Sequence, residues 1–308
     1  MDGILNINKP WGKTSFSIVA MVRRLTGERR VGHAGTLDPA AIGVLPVCLG
    51  RGTRIIEFLV DATKTYRAEI QFGTTTDTYD GAGSVVSTGD PSGISREGLE
   101  SALSSFRGPI WQTPPMYSAV KYHGRPLYEL ARAGITVERR SRLARVDRLE
   151  LIEWQPPVAT IEVDCGKGTY IRSLAHDLGQ SLGCGAFLQS LVRSRYGVFK
   201  LADAVSVPQL EEACRRGYWQ QFVHPVDSVL SRWPAVVVGD DAVQDIKSGR
   251  PVVPGDSGEA NGVDHARGFP VGPSSESRCR AYALDGRFLG VLRFNSVERH
   301  WHPEKVFV

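Results

Sequence analysis

The sequence predicts an α+β fold, in which a mixed, largely antiparallel sheet is flanked by helices and followed by a small β-rich C-terminal domain. Strand-like and helix-like segments mix along residues 3–230 without regular β-α-β alternation. Residues 65–73 alternate between apolar and polar side chains, which is typical of a half-buried antiparallel strand. After residue 232 the composition shifts to short strands and a long polar stretch. These observations favour one domain over residues 1–232 and a second over residues 233–308.

The N-terminal elements follow from apolar periodicity and from capping residues. Residues 3–8 alternate like a strand. Thr14 or Ser15 then caps a helix whose apolar positions recur at helical spacing and which ends at Gly27.

The middle of the chain adds two helices and two strands. Ser95 caps a helix that we expect Gly108 to close. Residues 145–165 predict two strands, and residues 171–183 have the apolar spacing of a helix.

The C-terminal domain is predicted to be small and rich in β-strands. Residues 236–238 predict a strand and residues 240–247 a helix, and two further strands are expected over 280–284 and 288–294. The stretch 254–278 is rich in Gly, Pro, Ser and charge, so we expect a flexible loop there.

Composition excludes several classes of protein. The chain has 308 residues, of which 42% are hydrophobic and 23% charged, as in an ordinary globular protein. No apolar run approaches the ~20 residues that cross a bilayer, and no export signal is evident, so we expect a cytoplasmic protein without membrane association. The five cysteines are scattered and lack the spacing of a zinc site.

Charge is informative in its local distribution. The net charge is only +4, but arginines cluster at 23–30, 139–145, 193–195 and 215–216. The last of these clusters is better explained by a solvated helix face. Elsewhere the preference for Arg over Lys suits phosphate binding, because a planar guanidinium grips phosphate through two bonds.

Sequence motifs do not support a cofactor. Residues 166–169 (Gly-Lys-Gly-Thr) lack the glycine spacing of a phosphate-binding loop. Residues 77–81 resemble a calcium loop only faintly, and the seven histidines show no paired metal spacing. We therefore expect no metal, nucleotide or flavin, and any chemistry must come from side chains.

Four side chains carry the candidate chemistry, and each has an ordinary structural alternative. Asp38 lies in a Leu-Asp-Pro sequence that could be a simple turn. Tyr66 begins a strand and could be a core aromatic, and Tyr170 could pack at a helix start. Arg172 falls in the first turn of a helix, where a cation opposes the helix dipole. That cost favours a specific anionic partner, and Asp38 is the natural one.

These segments together resemble the bacterial tRNA pseudouridine-55 synthase (TruB) family. The resemblance runs through residues 3–230 and rests on these motifs: Asn8-Lys9-Pro10-x-Gly12-x-Thr14-Ser15, Gly32-His33-Ala34-Gly35-Thr36-Leu37-Asp38-Pro39-x3-Gly43-Val44-Leu45, Lys64-Thr65-Tyr66, Thr76-Asp77-Thr78-x-Asp80-Gly81, Pro115-Met116-Tyr117-Ser118-Ala119-x-Lys121, Gly168-Thr169-Tyr170-Ile171-Arg172-Ser173-Leu174 and Leu191-x-Arg193. Residues 303–307 resemble the end of the small RNA-binding PUA-type module that often follows this catalytic domain.

The resemblance implies cofactor-free isomerisation of uridine to pseudouridine in the T-arm of tRNA. The C1′–N1 bond breaks, the uracil turns, and C1′ bonds to C5. Asp38 matches the catalytic aspartate, which either attacks C1′ or abstracts a ribose proton. The resemblance also implies that residues 109–145 form a T-loop-binding insertion and that neither a guide RNA nor a protein partner is required.

Further site residues follow from the same resemblance. Tyr66 matches the tyrosine that stacks on the target uracil, and Arg172 the arginine paired with the aspartate. Tyr170 and Leu191 match residues that line the base pocket, and His33 matches a histidine that assists extrusion of the base. Contacts to the RNA backbone or loop are expected from Lys9, Arg54, Tyr117, Lys121, Arg142 and Arg193.

One departure and two alternatives remain. The family's Asp-Ala-Asp-Gly turn is Asp80-Gly81-Ala82-Gly83 here, so its second carboxylate is missing. The chain could instead be a helper that refolds tRNA without catalysis, or a guide-RNA-dependent synthase. Asp38 favours an enzyme, because a pure binder has no reason to place a carboxylate where phosphates approach.

Overall fold

The structure is a computed structural model that describes residues 1–252, 266–267, 269, 274 and 276–308. Most of the loop predicted over 254–278 lies outside the described residues. Within the described part, no helix combines the length and the apolarity that crossing a membrane requires.

Seven α-helices and twenty strands are described. The helices are α1 (Ser15–Thr26), α2 (Ile56–Leu59), α3 (Arg96–Ser104), α4 (Leu127–Arg132), α5 (Ile171–Ser181), α6 (Val207–Arg216) and α7 (Asp240–Lys247). The strands are β1 (Gly3–Lys9), β2 (Val31–His33), β3 (Ile42–Leu49), β4 (Lys64–Phe72), β5 (Thr74–Thr76), β6 (Val85–Thr88), β7 (Gly108–Gln112), β8 (Lys121–Tyr122), β9 (Arg125–Pro126), β10 (Arg142–Gln155), β11 (Val158–Cys165), β12 (Ala186–Tyr196), β13 (Phe199–Lys200), β14 (Val205–Ser206), β15 (Val223–His224), β16 (Ala235–Val238), β17 (Ala266–Arg267), β18 (Arg278–Ala283), β19 (Phe288–Asn295) and β20 (His300–Val306). Short 3₁₀ helices span Gly50–Ile55, Leu201–Asp203, Trp219–Phe222 and Val226–Leu230.

The described chain divides into two compact units. The large unit comprises Leu5–Val47 and Leu59–Val223. The small unit comprises Met1–Ile4, Cys48–Phe58 and His224–Val308. The small unit thus begins a few residues before the predicted boundary at 232/233 and takes in two N-terminal segments.

A mixed, largely antiparallel sheet forms the large unit, as the sequence predicts. The strand order is β14-β1-β3-β12-β4-β11-β10-β7. β4 runs antiparallel to both β12 and β11, whereas β3–β12 and β1–β14 are parallel pairs. The fold class is confirmed.

The alternating pattern of β4 explains its central place. Its inward side chains, Tyr66, Ala68, Ile70 and Phe72, belong to one buried cluster that also contains residues of α3 and α5. Arg67 between them is exposed. The apolar face of β4 is therefore buried against helices, as the period of two predicts.

Two central strands, β3 and β12, were missed by the sequence prediction. β3 is almost entirely buried and lacks alternation, because strands covered on both faces are continuously apolar. β12 lies between β3 and β4, but several polar residues, including Gln189, Ser190 and Arg193, interrupt its apolar pattern. The helix α3 also ends at Ser104, not at Gly108, because Gly108 begins β7 with a φ of +79°.

The small unit has its own sheet and core. The strand order is β17-β16-β18-β19-β20, and a buried cluster that includes Val236, Ile246 and Trp301 packs beside it. The predicted strand at 236–238 and helix at 240–247 are confirmed, whereas β20 was not predicted.

We expect Gly43→Ala to destabilise the fold because β3 meets β12 here without room for a side chain. Gly43 has a φ of +106°, and a Cβ there would lie 2.3 Å from the carbonyl oxygen of Arg193. Strain and the clash together should cost about 2–5 kcal/mol in the free energy of unfolding, measured by urea denaturation. Gly124→Ala is the control, since Gly124 has a φ of +83° but nothing within 4 Å, and roughly 1–2 kcal/mol is expected. Equal losses in the two variants would show that the close approach is not what demands glycine.

Candidate active site

Asp38 lies on the loop between β2 and β3, and hydrogen bonds from α1 fix this loop. Thr14 caps α1 by accepting a bond from the Ser17 amide at 2.9 Å, which selects Thr14 over Ser15 as the cap. Ser15 is thereby free to bond the loop. Its Oγ accepts from the Leu37 amide at 2.8 Å and donates to the Leu37 carbonyl at 3.0 Å. The residue before Asp38 is thus anchored at both backbone groups.

Lys9 and Arg193, which the sequence predicts as RNA contacts, support the same loop from inside the protein. Both side chains are 0% exposed. The Lys9 Nζ donates to the carbonyls of Pro10, Lys13 and Pro39 at 3.0, 2.7 and 3.4 Å.

Arg193 holds the two ends of the loop. Its Nε donates to the Val44 carbonyl at 2.7 Å and its Nη2 to the Gly35 carbonyl at 2.9 Å. Buried cations need such partners, because an unpaired charge in the interior is costly. A sequence motif cannot show whether an arginine faces phosphates or its own carbonyls.

An ion pair between Asp38 and Arg172 forms the centre of the site. The Arg172 Nη2 lies 2.9 Å from the Asp38 Oδ2. The Arg172 side chain is 7% exposed, and its guanidinium also donates to the carbonyls of Thr78 and Tyr117 at 3.3 and 2.8 Å. Asp38 is 43% exposed, so its carboxylate opens to a ligand while the arginine stays covered.

Asp80, the carboxylate that the turn Asp80-Gly81-Ala82-Gly83 retains, is a second anion beside Arg172. Its Oδ2 lies 3.7 Å from the Arg172 Nη1. Its Oδ1 accepts from the Thr78 hydroxyl at 2.6 Å and the Ala82 amide at 3.1 Å, which fixes the turn. Two carboxylates therefore offset a cation placed at the N-terminus of α5, where the helix dipole opposes it.

The pKa of Asp38 is raised above its usual value. Desolvation by the surrounding protein is the main cause, and the negative charge of Asp80 adds to it. Arg172 opposes the rise through its charge and its hydrogen bond, and Lys9 opposes it more weakly. Desolvation likewise lowers the pKa of Lys9 to about 8, while Asp38 acts to raise it.

Two cavities meet at the ion pair, and Asp38, Arg172 and Leu191 line both. The first, about 270 Å³, is bordered by Tyr66 and Tyr170, and we call it the tyrosine cavity. The second, about 240 Å³, is bordered by Trp11 and the turn at Asp80, and we call it the tryptophan cavity.

The two tyrosines are held by their backbones and are largely covered. Tyr66 is 7% exposed, and desolvation raises the pKa of its phenol, while the nearby Arg193 acts to lower it. Tyr170 exchanges hydrogen bonds with the side chain of Gln112 at 3.0 and 3.2 Å, and desolvation also raises its pKa. Lys64 lines the same cavity. No role was predicted for it from the sequence, although its place in the motif Lys64-Thr65-Tyr66 was a signal for one.

Of the other predicted residues, only Tyr117 contacts the ion pair, through its backbone carbonyl. His33, on β2, lines neither cavity, and desolvation lowers the pKa of its imidazole. Lys121 and Arg142 are exposed on β8 and β10, and the carbonyl of Tyr117 is bonded by Arg172. Arg54 belongs to the small unit, where its Nη1 donates to the Val306 carbonyl at 2.6 Å.

The described residues contain no group of three or more His, Cys, Asp or Glu side chains placed to hold a metal ion. They do contain the Asp38 carboxylate, whose ionised form is favoured by the buried Arg172 guanidinium. This carboxylate borders a cavity that is also lined by two tyrosines. Such a group can act as a nucleophile or as a general base on a flat aromatic ligand and its attached sugar.

Known proteins are similar to this chain in sequence and in fold. Residues 23–171 match the TruB family pseudouridylate synthase (N terminal domain), and residues 172–231 match the tRNA pseudouridylate synthase B C-terminal domain. The chain is 42% identical over 308 residues to a tRNA pseudouridine synthase B of Dehalococcoides mccartyi (strain CBDB1), covering 100% of this chain and 97% of the relative. A tRNA pseudouridine synthase B of Symbiobacterium thermophilum is 48% identical over 252 residues, covering 81% of this chain and 82% of the relative. The crystal structure of a Cbf5-Nop10-Gar1 complex superposes with a TM-score of 0.75 at 27% identity, covering 99% of this chain and 85% of that chain.

We expect Asp80→Asn to lower the pKa of Asp38. The amide keeps the oxygen that accepts from Thr78 and Ala82 but removes the negative charge that raises the pKa of Asp38. NMR titration of the Asp38 carboxyl carbon measures this shift. Asp77→Asn is the control, because Asp77 is an exposed aspartate three positions away and is not among the main causes of the Asp38 pKa shift. An unchanged or raised pKa in Asp80→Asn would contradict the electrostatic coupling described here.

Proposed function

Because the chain belongs to the TruB family of pseudouridylate synthases, we propose that it isomerises uridine 55 in the T-loop of tRNA to pseudouridine. The family makes the chain an isomerase. The observation that best supports the specific reaction is Asp38, ion-paired to Arg172 at 2.9 Å and open to the tyrosine cavity.

Base flipping is the first step that the geometry requires. C1′ and C5 of a stacked uridine are inaccessible, so the nucleotide must leave the stack at a cost of a few kcal/mol. The tyrosine cavity offers replacement contacts for the uracil between Tyr66, Tyr170 and Leu191. His33, an aromatic residue whose imidazole pKa is lowered by desolvation, is suited to fill the place that the base vacates.

Asp38 then exchanges the glycosidic bond. Its ionised carboxylate either attacks C1′ or removes a ribose proton, and in both cases the C1′–N1 bond breaks and the uracil leaves as an anion. The uracil turns and C5 bonds to C1′, which releases the Asp38 carboxylate on the first route and returns the ribose proton from Asp38 to the sugar on the second. Loss of the C5 proton and gain of a proton at N1 then restore the aromatic ring. Arg172 orients the carboxylate and favours its ionised form.

Tyr66 is placed to serve the last step. Its ring borders the cavity beside Asp38, and against the larger effect of desolvation, which raises the pKa of its phenol, the charge of Arg193 acts to lower that pKa. We propose that the ring stacks on the uracil and that the hydroxyl assists removal of the C5 proton.

RNA binding is assigned to exposed groups around the site and in the small unit. Lys121, Arg142 and Tyr117 lie on residues 109–145, where a separate apolar cluster supports a T-loop-binding insertion. We propose that residues 1–232 form the catalytic domain and that residues 233–308, with Arg54 packed against them, form a PUA-like RNA-binding domain.

We further propose that the chain works on tRNA without a guide RNA or a protein partner, in the cytoplasm. The relatives named tRNA pseudouridine synthase B are 41–48% identical to this chain, compared with 27% for the Cbf5 complex. The purified chain should therefore modify a T-arm stem-loop by itself.

Asp38→Asn should abolish pseudouridine formation in that stem-loop, because an amide can neither attack C1′ nor remove a proton. Mass spectrometry after chemical labelling of pseudouridine measures the product, and binding should stay within a few-fold of wild type. The Asp77→Asn variant serves as the active control. Robust turnover by Asp38→Asn would remove the central role of this residue, and wild-type binding without turnover would favour the RNA-folding alternative.

Tyr66→Phe should slow the reaction but preserve RNA affinity. The phenylalanine ring keeps the stacking surface and loses only the hydroxyl proposed to assist C5 deprotonation. General acid–base contributions are about 10²–10⁴-fold, so a single-turnover rate lowered by roughly a hundredfold or more is expected. A wild-type rate in this variant would exclude a role for the hydroxyl.

A further inference from the structure

The tryptophan cavity has no part in the chemistry proposed above, yet its wall carries a large exposed aromatic side chain. Trp11 is 74% exposed and borders this cavity together with Asp38. In the motif Asn8-Lys9-Pro10-x-Gly12, the resemblance to the family does not specify the residue at position 11. A single exposed apolar side chain is common on protein surfaces, so exposure alone does not indicate a ligand. The place of Trp11 on a cavity that Asp38 also lines does indicate one.

The turn that carries Trp11 is hydrogen-bonded to the Asp38 loop between β2 and β3. The Gly12 amide donates to the Pro39 carbonyl at 2.8 Å. The Lys9 Nζ bonds the carbonyls of Pro10 and Lys13, which lie on either side of Trp11. The backbone of Trp11 is therefore fixed relative to Asp38, and little ordering is required when a ligand binds.

The rest of the cavity suits a flat, neutral group. Small residues line it beside the indole, including Ala40, Ala41 and Gly81. Asp38 and Asp80 also border it, and these carboxylates disfavour a phosphate there. Gln189 is exposed at the same cavity, and its amide can both donate to and accept from the edge of a base.

The position of the cavity indicates which base would enter. It meets the tyrosine cavity at Asp38, Arg172 and Leu191. If the target uracil occupies the tyrosine cavity, the nucleotide directly joined to it is the one that reaches across the ion pair. We propose that the tryptophan cavity is a second base-binding site, in which Trp11 stacks on the base of the nucleotide adjoining the target uridine. This inference rests on the proposed function.

The test pairs protein variants with altered RNAs. Dissociation constants are measured by fluorescence anisotropy for the full-length wild type, Trp11→Ala, Trp11→Phe and Phe16→Ala. Phe16 is the matched control because it is 71% exposed, lies five residues away and does not line the cavity. The RNAs are a T-arm stem-loop and two derivatives with a single abasic nucleotide on the 5′ or the 3′ side of the target uridine.

Trp11→Ala should weaken binding of the intact stem-loop roughly five- to a hundredfold, as expected for one base–aromatic stack. Trp11→Phe should lose less, and Phe16→Ala should stay within twofold. On one of the two abasic RNAs, wild type and Trp11→Ala should bind equally well, because the base that Trp11 contacts is gone.

Two results would overturn the inference. One is wild-type affinity of Trp11→Ala for the intact stem-loop. The other is the same fold loss in Trp11→Ala on all three RNAs, which would mean that the indole contacts something other than an adjoining base. Turnover of the intact RNA by the wild type, measured in parallel, separates these results from a failure of the proposed function itself.

Discussion

The ion pair between Asp38 and Arg172 is the interaction on which the rest of the site depends. A buried arginine in the first turn of α5 is unfavourable by itself, because desolvation and the helix dipole both oppose the charge. Asp38 and Asp80 offset that cost from two sides, and the carbonyls of Thr78 and Tyr117 each accept a further hydrogen bond from the guanidinium. Asp38 is 43% exposed and Asp80 only 14%, so the arrangement that stabilises the cation also leaves Asp38 as the more accessible carboxylate.

Holding Asp38 in place takes a second set of buried cations. Lys9 and Arg193 donate hydrogen bonds to backbone carbonyls, and these bonds hold both ends of the Asp38 loop against the sheet. Their charges also lie close enough to the site to act on Asp38 and Tyr66. A conservative change such as Arg193→Lys would lose the two-ended grip, because one ammonium cannot span the carbonyls of Gly35 and Val44 as a guanidinium does.

The sequence predicted the fold class and the centre of the site better than it predicted their surroundings. The alternation of β4 and the unfavourable place of Arg172 in its helix are local signals with a direct physical meaning, and both led to the right geometry. The strand β3 was missed because a doubly covered strand has no alternation to detect, and β12 was missed because polar residues interrupt its apolar pattern. The burial of Lys9 and Arg193 could not be predicted from the sequence, because the direction of a long basic side chain is decided by tertiary contacts.

The most direct test of this account is the structure of Asp38→Asn bound to a T-arm stem-loop. We expect the target uracil to lie in the tyrosine cavity against the Tyr66 ring, with C1′ in van der Waals contact with the side chain at position 38 and with Arg172 still bonded to it. A target uracil that stays stacked in the RNA loop, or that binds away from the Arg172 guanidinium, would contradict the central claim that this ion pair positions the reactive group.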